Sequence, residues 1–451
     1  MILRRFEAKN VYGYLNFDFD LNSDINFLVG GNGSGKTTAL KLINGLLVPN
    51  FRELLFIPFQ STSLEVEHKG ELIKIDAVSD ESQIELSVSS VDEKVILPNY
   101  ADVELEYYSH KSPDSDDFVE AINRKNSDSP VVKKLADIPS PIFLGLDRRK
   151  EHGSTVKNIE YYTERERWMT RKSNNRALRA RRLIKGSLGV SLMETELLVQ
   201  DAYRRLRQLE EHQSTKLRDS ILLSAFQYTE FNLDEEALEG DFWNEKAAFL
   251  ERKKEIKDAL SKIGIKDNRL SSEVDTFFDK LTELFESIPK EGAKGLNVEL
   301  LTNKAQIDRI VNIVGVIDEY KSKVDKLFEP INEFIEVVNG FYADSGKTLS
   351  VDTVGQLVVE RPDQKKCTIE GLSSGERQLL VIFAHAFFNR YNDRNTVFII
   401  DEPELSLHLR WQERFSETIL KVSPSSQFLL ATHSPEIIGA NKNKAIKCRA
   451  K

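Results

Sequence analysis

The sequence predicts an α/β domain split by a long helical insertion. Three observations carry this expectation. Strands and helices alternate at both ends of the chain, an apolar period of helical type fills the middle, and a glycine-rich turn stands between an apolar strand and a helix.

Taken in order, residues 2–29 show short alternating runs, ILRRFEAKNV, LNFDFDL and INFLVG, which read as strands, with Asn-Ser-Asp as punctuation between the last two. TALKLINGLL follows as a helix, and ELIKIDAV and QIELSVSS continue as an antiparallel β region. SPIFLGLDRRKEH adds one more apolar strand with an abrupt charged finish. From about Val156 to Val338 the helical period takes over. Val199, Ala202, Leu206 and Leu209 form one stripe. Ile307, Ile310, Val314, Ile317, Val324 and Phe328 form another with near-heptad spacing, interrupted by Lys321. These stripes fit either packing within a helical subdomain or a projecting coiled-coil arm, and Pro330 is expected to break or kink the second. TLSV, QLVVE and CTIEG return to β character. A helix after LSSGERQ, a strand in VFIIDEPE, a short helix around Trp411–Leu420 and a strand in QFLLATHSPEII complete the chain. The expected divisions are residues 1–152, 153–345 and 346–451.

Composition bounds the function. The chain has 451 residues, enough for two or three domains, and its net charge of −9 argues against a protein that coats nucleic acid with its whole surface. Two cysteines, Cys367 and Cys448, cannot build a disulfide framework, which fits a reducing cytoplasm. The N-terminal segment MILRRFEAKN is too polar for a secretory signal, and no apolar run reaches the ~18 residues that span a bilayer, so no membrane role is expected.

GGNGSGKT holds the pattern G-x-x-x-x-G-K-[ST] as Gly30, Gly35, Lys36 and Thr37, after the strand-like INFLV and before a helix. Glycines let successive amides curl around phosphates. Gly30, Asn32, Gly33, Ser34, Gly35, Lys36, Thr37 and Thr38 are therefore the expected nucleotide-binding residues. Lys36 reaches the β- and γ-phosphate oxygens, and the Thr37 hydroxyl suits Mg²⁺. SGKT recurs at Ser345–Thr348, but the glycine the pattern needs would fall at Phe341, and this copy reads as a hairpin turn.

VFIIDEPE delivers Asp401 and Glu402 at the carboxyl end of a buried strand, where α/β sheets place their ligands. Triphosphate hydrolysis needs an acid near Mg²⁺ and a group that orients or deprotonates water. Asp401 fits the first role and Glu402 the second, with a structural capping role as the alternative for Glu402. His433 follows a third apolar strand; it is either a packed or capping residue or a donor to the γ-phosphate. In LSSGERQ small residues precede the apolar run Leu379–Phe388, which makes the stretch a helix start, and the unpaired amides there are suited to an anion. The chain thus carries a second anion site besides the first phosphate cradle.

The order GGNGSGKT, LSSGERQ, VFIIDEPE, SLHLRWQ, ATHSPE resembles the ABC-type ATPase head over somewhat more than half the chain. That resemblance implies a two-lobed α/β P-loop ATPase head with ATP and Mg²⁺ as ligands. It makes Ser373, Ser374 and Gly375, with Glu376 beside them, a signature that binds ATP held by a second subunit. Asp401 and Glu402 become the Walker B pair, Ser406, Leu407 and His408 the D-loop, and His433 a switch histidine, with Glu402, His433 and Lys36 as the catalytic set. Two head-to-tail copies would close two identical sites, so a homodimer or larger homo-oligomer is expected.

Ser374 in place of the usual glycine, SLH in place of SALD, and the long insertion separate the chain from transporter ATPases. It looks like the SMC/RecF-like branch, and more narrowly like the OLD-type, AAA_21-like ATPases of bacterial defence, which include the ATPase components of the PARIS and Septu systems and retron-associated relatives. OLD nucleases carry a C-terminal Toprim domain; this sequence stops soon after ATHSPEI, so any nuclease is expected as a separate effector chain, with nucleic acid or a phage protein as the trigger. The alternative is a RecF/SMC-like repair or chromosome-maintenance ATPase acting as a DNA clamp. No Q-loop glutamine is placed: Gln60 is too early, and Asp147, Arg148 and Arg149 stand in as candidates, with Tyr12 for the adenine. Arg165, Arg167, Arg171, Lys172, Arg176, Arg179, Arg181, Arg182 and Lys185 form a basic stretch opposed by Glu166. It suits nucleic-acid phosphates, an acidic protein face, or a solvated helix balanced by acids such as Glu210 and Glu211.

Overall fold

The computed structural model describes residues 1–99, 113–145, 187–225, 252–262, 268–286, 298–389 and 396–448. The basic stretch and Asp147–Arg149 lie outside the described residues. The chain divides into two compact units, one of Met1–Asp201 with Phe334–Lys451 and one of Ala202–Glu333.

The first unit is organised by a five-stranded parallel sheet. Its strands are β3 (Ile25–Val29), β8 (Ile142–Gly145), β12 (Val397–Asp401), β13 (Gln427–Thr432) and β14 (Ala445–Lys447), in the order β14-β3-β13-β12-β8. The central strands INFLV, VFIID and QFLLAT are buried almost throughout, as parallel strands covered on both faces must be. Register sets the strand ends level: Thr432 pairs with Val29, and Asp401 with Ala431 and Gly145. The loops after β3, β13 and β12 therefore open side by side at the carboxyl edge, where a ligand of an open α/β sheet binds.

Against this sheet lies an antiparallel one, ordered β2-β1-β4-β5-β6-β7. It is made of β1 (Ile2–Val11), β2 (Leu15–Asp20), β4 (Ser61–His68), β5 (Glu71–Ser79), β6 (Gln83–Val88) and β7 (Val95–Pro98). Alternation in the sequence becomes alternation in burial: Leu64 and Val66 of β4 and Ile73, Ile75 and Ala77 of β5 face the core. Helix α1 (Lys36–Leu47) contributes Leu40, Leu42, Ile43, Leu46 and Leu47 to the same cluster as Ile399, Leu429 and the antiparallel sheet, so one core carries both sheets. A short sheet of β9 (Thr348–Val351), β10 (Leu357–Glu360) and β11 (Lys366–Cys367) precedes the signature.

Other described helices are α2 (Arg52–Phe56), α3 (Pro113–Asn126), α4 (Pro130–Asp137), α5 (Ser187–Ala225), α6 (Lys253–Lys262), α7 (Asn268–Glu286), α8 (Val298–Tyr342), α9 (Ser374–Asn389), α10 (Leu409–Val422) and α11 (Pro435–Ile438). None of the described helices is long and apolar enough to cross a membrane.

Two sequence expectations are corrected in this region. Of the break or kink expected at Pro330, the break is absent: α8 runs through it to Tyr342. A proline inside a helix costs ~3 kcal/mol, but Phe334, Val338, Phe341 and Tyr342 beyond it are fully buried. At ~1.5–3 kcal/mol per large apolar side chain their burial outweighs that cost. Phe334 lies edge-on to Phe387 and Phe388, and Phe341 packs on Phe383 and Trp411, so this end of α8 belongs to the core of the first unit. The second correction concerns SGKT at Ser345–Thr348. It is a helix exit, not a hairpin turn: a 3₁₀ turn spans Ala343–Ser345, Gly346 takes φ 65°, and β9 begins at Thr348.

In the second unit the stripe residues Val314 and Ile317 share a core with Tyr320, Leu217 of α5, Ile256 of α6 and Phe278 of α7. Lys321, which interrupts the stripe, donates to Glu255 at 2.7 Å, and Arg252 bridges Glu255 and Asp318. An outward charge here registers α8 on α6 through ion pairs that are largely exposed and therefore screened by salt.

Candidate functional site

The loop of residues 30–37 leaves β3 and enters α1. Gly35 takes φ 84°, and a Cβ there would meet Leu15 and Phe17 of β2 at 2.8 Å, so only glycine lets the loop sit on that strand. Gly30 is equally constrained, by the Cys448 carbonyl at 2.6 Å and Ser34 Oγ at 2.5 Å from such a Cβ. Ser34 Oγ is buried with no hydrogen-bond partner. A buried hydroxyl without a partner in a glycine-walled loop at a helix N-terminus fits an anionic ligand that would supply the missing bond.

Lys36 is 6% exposed, and its Nζ donates to the carbonyls of Gly30 at 3.1 Å and Gly31 at 3.3 Å. It also stands 2.8 Å from His433 Nε2. An ammonium only donates, so this imidazole nitrogen accepts and the ring proton sits on Nδ1. Burial draws the Lys36 ammonium below the ordinary lysine range, opposed by Cys448, Glu402, Asp401 and Glu404.

At the end of β12, Asp401 Oδ1 accepts from the Thr37 hydroxyl at 3.1 Å. Burial raises the Asp401 carboxyl above its usual range; the Thr37 bond opposes this and the neighbouring Glu402 adds to it. Thr37 and Asp401 would hold a divalent cation, whose charge would offset that rise, and one or two protein oxygens are the donor set Mg²⁺ takes beside phosphates. Glu402 adopts φ 50°, unusual for a non-glycine residue, while its amide donates to the Ala431 carbonyl at 2.8 Å. The positive φ turns the chain away from the sheet just after Asp401.

Ser373 and Ser374 at the start of α9 are exposed and Gly375 is buried. A Cβ on Gly375 would lie 2.3 Å from the carbonyl of Ser406, so Gly375 is where α9 meets the backbone of the loop before α10. Ser406 is itself at φ 66°, Leu407 is buried, and His408 caps α10 by accepting from the Arg410 amide. Of the remaining candidates, Asn32 and Gly33 are exposed in the loop and Thr38 follows Thr37 in α1. Tyr12, at φ 52° and 46% exposed, shares the β1–β2 turn with the exposed Tyr14, immediately before the strand that underlies Gly35.

A family profile for the AAA ATPase domain matches residues 1–438. The chain belongs to this AAA ATPase domain family, AAA_15. Residues 1–438 are an ATPase domain accordingly. Over 144 residues it is 23% identical to the Endonuclease GajA of Bacillus cereus (strain VD045), a match covering 28% of this chain and 25% of that protein. Over 197 residues it is 24% identical to the Retron Vc95 probable ATPase of Vibrio cholerae serotype O1 biovar El Tor, covering 43% of this chain and 36% of that protein. The chain thus spans about a quarter to a third of the length of the curated relatives it matches. Among solved structures, the Smc head domain of Pyrococcus furiosus bound to the C-terminal domain of ScpA aligns with 97% of this chain and 91% of its own, at 14% identity and TM-score 0.39. The SMC head domain of Thermotoga maritima gives 12% identity and TM-score 0.37, with coverage of 97% and 91%. These superpositions are loose, and the fold of this AAA ATPase domain is read from its own strand order.

In this AAA ATPase domain Glu376 departs from its expected place in a signature that faces another subunit. It is 2% exposed, accepts from the Ser373 amide at 2.6 Å, Ser345 Oγ at 2.8 Å and Lys347 Nζ at 2.7 Å, and its carbonyl accepts from the Tyr342 hydroxyl. With the Glu376 amide donating to Ser373 Oγ, this is a capping box, and the spacing S-x-x-E was readable in the sequence. Burial would raise this carboxyl, but Lys347 and the other donors hold it below the ordinary glutamate range. A group whose folded value is depressed stabilises fully above its unfolded value, ~4.3, and loses that contribution as pH falls through the folded one. Lys347→Met is expected to cost about 2–3 kcal/mol at neutral pH by leaving the buried carboxylate without its cation. Urea melts of both proteins from pH 7 to pH 3 check this: the deficit should close on the acid side, where Glu376 is protonated in both.

Sequence reasoning also missed the side chains that tie the loops together. Gln378 Nε2 donates to the Pro403 carbonyl at 2.8 Å, joining α9 to the loop after β12. Gln412 donates to the Leu407 carbonyl and accepts from Ser434 Oγ at 2.7 Å, joining the D-loop to the segment after His433. These are contacts between distant parts of the chain, and no local pattern announces them.

Proposed function

We propose that the protein forms ATP-sandwiched dimers or larger assemblies and controls a separate effector, a nuclease, in bacterial anti-phage defence. One observation carries the dimer: besides the complete phosphate loop, α9 begins at an exposed helix start, Ser373–Ser374, whose glycine packs on Ser406 and Trp411. A helix N-terminus with free amides is an anion site, and a two-fold pair places each one against the partner's nucleotide. The likeness to an endonuclease and to a retron's probable ATPase supports the defence setting.

In this reading the loop amides and Lys36 bind the phosphates, and Thr37 and Asp401 hold Mg²⁺. When bound, that ion neutralises charge on the β- and γ-phosphates. Glu402 orients and deprotonates the attacking water. His433, whose Nε2 accepts from Lys36 in this structure, would give up that bond and carry its proton on Nε2, by change of tautomer or protonation, to donate to the γ-phosphate. Ser373 and Ser374 with the α9 amides stabilise the γ-phosphate of the partner's ATP through charge-assisted bonds present only with the triphosphate.

Glu402→Gln, incubated with saturating ATP and Mg²⁺, is expected to stop turnover and accumulate a dimer or larger species by mass measurement. A monomer under those conditions refutes the sandwich. For the setting, co-purification with the product of an adjacent gene is expected to yield a complex whose mass changes with ATP, and Lys36→Ala should lose protection from phage.

A further inference from the structure

DEPE ends β12 with one acid, Asp401, and follows it with two, Glu402 and Glu404; the catalytic reading uses the first two. The third, Glu404, spans two loops. Its Oε2 accepts from the Thr432 hydroxyl at 2.8 Å and its Oε1 from the His433 amide at 2.6 Å. Thr432 is the last residue of β13 and fully buried, and its Oγ1 also accepts from the Ser434 amide at 3.0 Å. Glu404 is in turn held by its own loop, whose Leu405 amide donates to the Glu402 carbonyl and whose Leu407 amide donates to the Glu404 carbonyl. One carboxylate thus fixes the main chain at His433 to the turn that begins with Glu402.

We infer that Glu404 is a positioning residue: it sets the backbone of His433 relative to Glu402, so that the imidazole and the water-activating carboxylate keep a fixed separation across the β12–β13 edge. This rests on the proposed role of His433. The physical case is the kind of bond. An amide donating to a carboxylate is charge-assisted, shorter and about twice as strong as a neutral pair. His433 itself is exposed, so the packing that fixes a buried side chain is not available to it. Its ring is held at the tip by Lys36 Nζ, 2.8 Å from Nε2, and its main chain by the Glu404 clamp. Ser434 gives a further hold through Gln412, one residue past the histidine.

The test is a double-mutant cycle on steady-state ATP hydrolysis by the full chain. Glu404→Ala is expected to lower kcat about 10- to 100-fold, the range a misplaced catalytic group costs. KM for ATP should stay within about threefold, because phosphate binding uses the loop at 30–37. Glu404→Gln, which keeps one oxygen for the His433 amide, should recover part of the loss. In a His433→Ala background Glu404→Ala should cost less than about twofold, since residues acting as a unit are non-additive. Equal losses in both backgrounds, an unchanged kcat for Glu404→Ala, or a rise in KM with kcat intact each overturn the inference. If Glu404→Ala melts below the assay temperature, the cycle is run with Glu404→Gln under the same criterion. A fully active His433→Ala would instead sink the switch role of His433, separately from the clamp.

Discussion

Lys36→Ala should lose ATP binding by two orders of magnitude or more while keeping its fold, with turnover falling below detection. Lys36 is already engaged without ligand. Its ammonium is nearly buried and rests on two carbonyls and an imidazole nitrogen, all neutral acceptors. Burial disfavours its charge, as the lowered amine shows. Removing it therefore relieves a desolvated cation and costs the apo protein little. Bound triphosphate changes the sign, because the same ammonium would then face phosphate oxygens in a site with few other cations, and a charge-assisted contact there is worth several times a surface ion pair. Thermal melts separate the two states. Wild type at ~100 times its Kd for ATP gains about 2.7 kcal/mol by mass action; Lys36→Ala should melt with the wild-type apo protein and show no shift with ATP. A retained ATP shift would mean that the lysine is not the phosphate contact.

Much of this site is legible in sequence because its chemistry is local. The glycine-rich loop needs Gly30 and Gly35 for backbone reasons that any sequence declares. An apolar run ending in Asp401-Glu402 is a buried parallel strand meeting its ligand edge. Strand neighbours are not local. That β13 separates β3 from β12, and so puts His433 beside Lys36, follows only from the sheet order. Glu376 shows the opposite failure. Its S-x-x-E spacing declared a capping box, yet family position suggested an outward contact; the nearby Lys347 and Ser345 make the inward choice better, since they supply a cation and a hydroxyl to a carboxylate that burial would otherwise penalise. The break allowed for at Pro330 and the hairpin read in SGKT fail because a local rule was applied where packing decides. The apolar residues after Pro330 carry α8 onward, and the glycine at 346 ends it. Glu404 and Gln412 were invisible for want of any spacing that predicts a partner across the sheet edge.

Gly375→Ala should leave ATP binding by the isolated chain intact and remove both ATP-dependent assembly and most hydrolysis. A methyl group at this position would sit 2.3 Å from the Ser406 carbonyl oxygen, a backbone atom that cannot rotate away, with the Trp411 ring at 3.6 Å behind. Relief requires either α9 to retreat or the D-loop to move. Retreat is opposed by Glu376 and Gln378, which anchor the first turn to Lys347 and Pro403. The D-loop has less to hold it: Ser406 is exposed and already at a positive φ. The loop is therefore expected to shift, at about 1–3 kcal/mol of overpacking cost. The shift takes Leu407 off Gln412 and, through that residue, loosens Ser434 next to His433. The nucleotide loop at 30–37 shares none of these bonds, so the ATP-induced melting shift should persist within about 1 kcal/mol of wild type. Mass measurement with ATP in a Glu402→Gln background is the decisive readout. Assembly that survives Gly375→Ala would show that the contact between α9 and the D-loop has no part in joining subunits, and that the exposed serines at 373 and 374 serve something other than a neighbour's nucleotide.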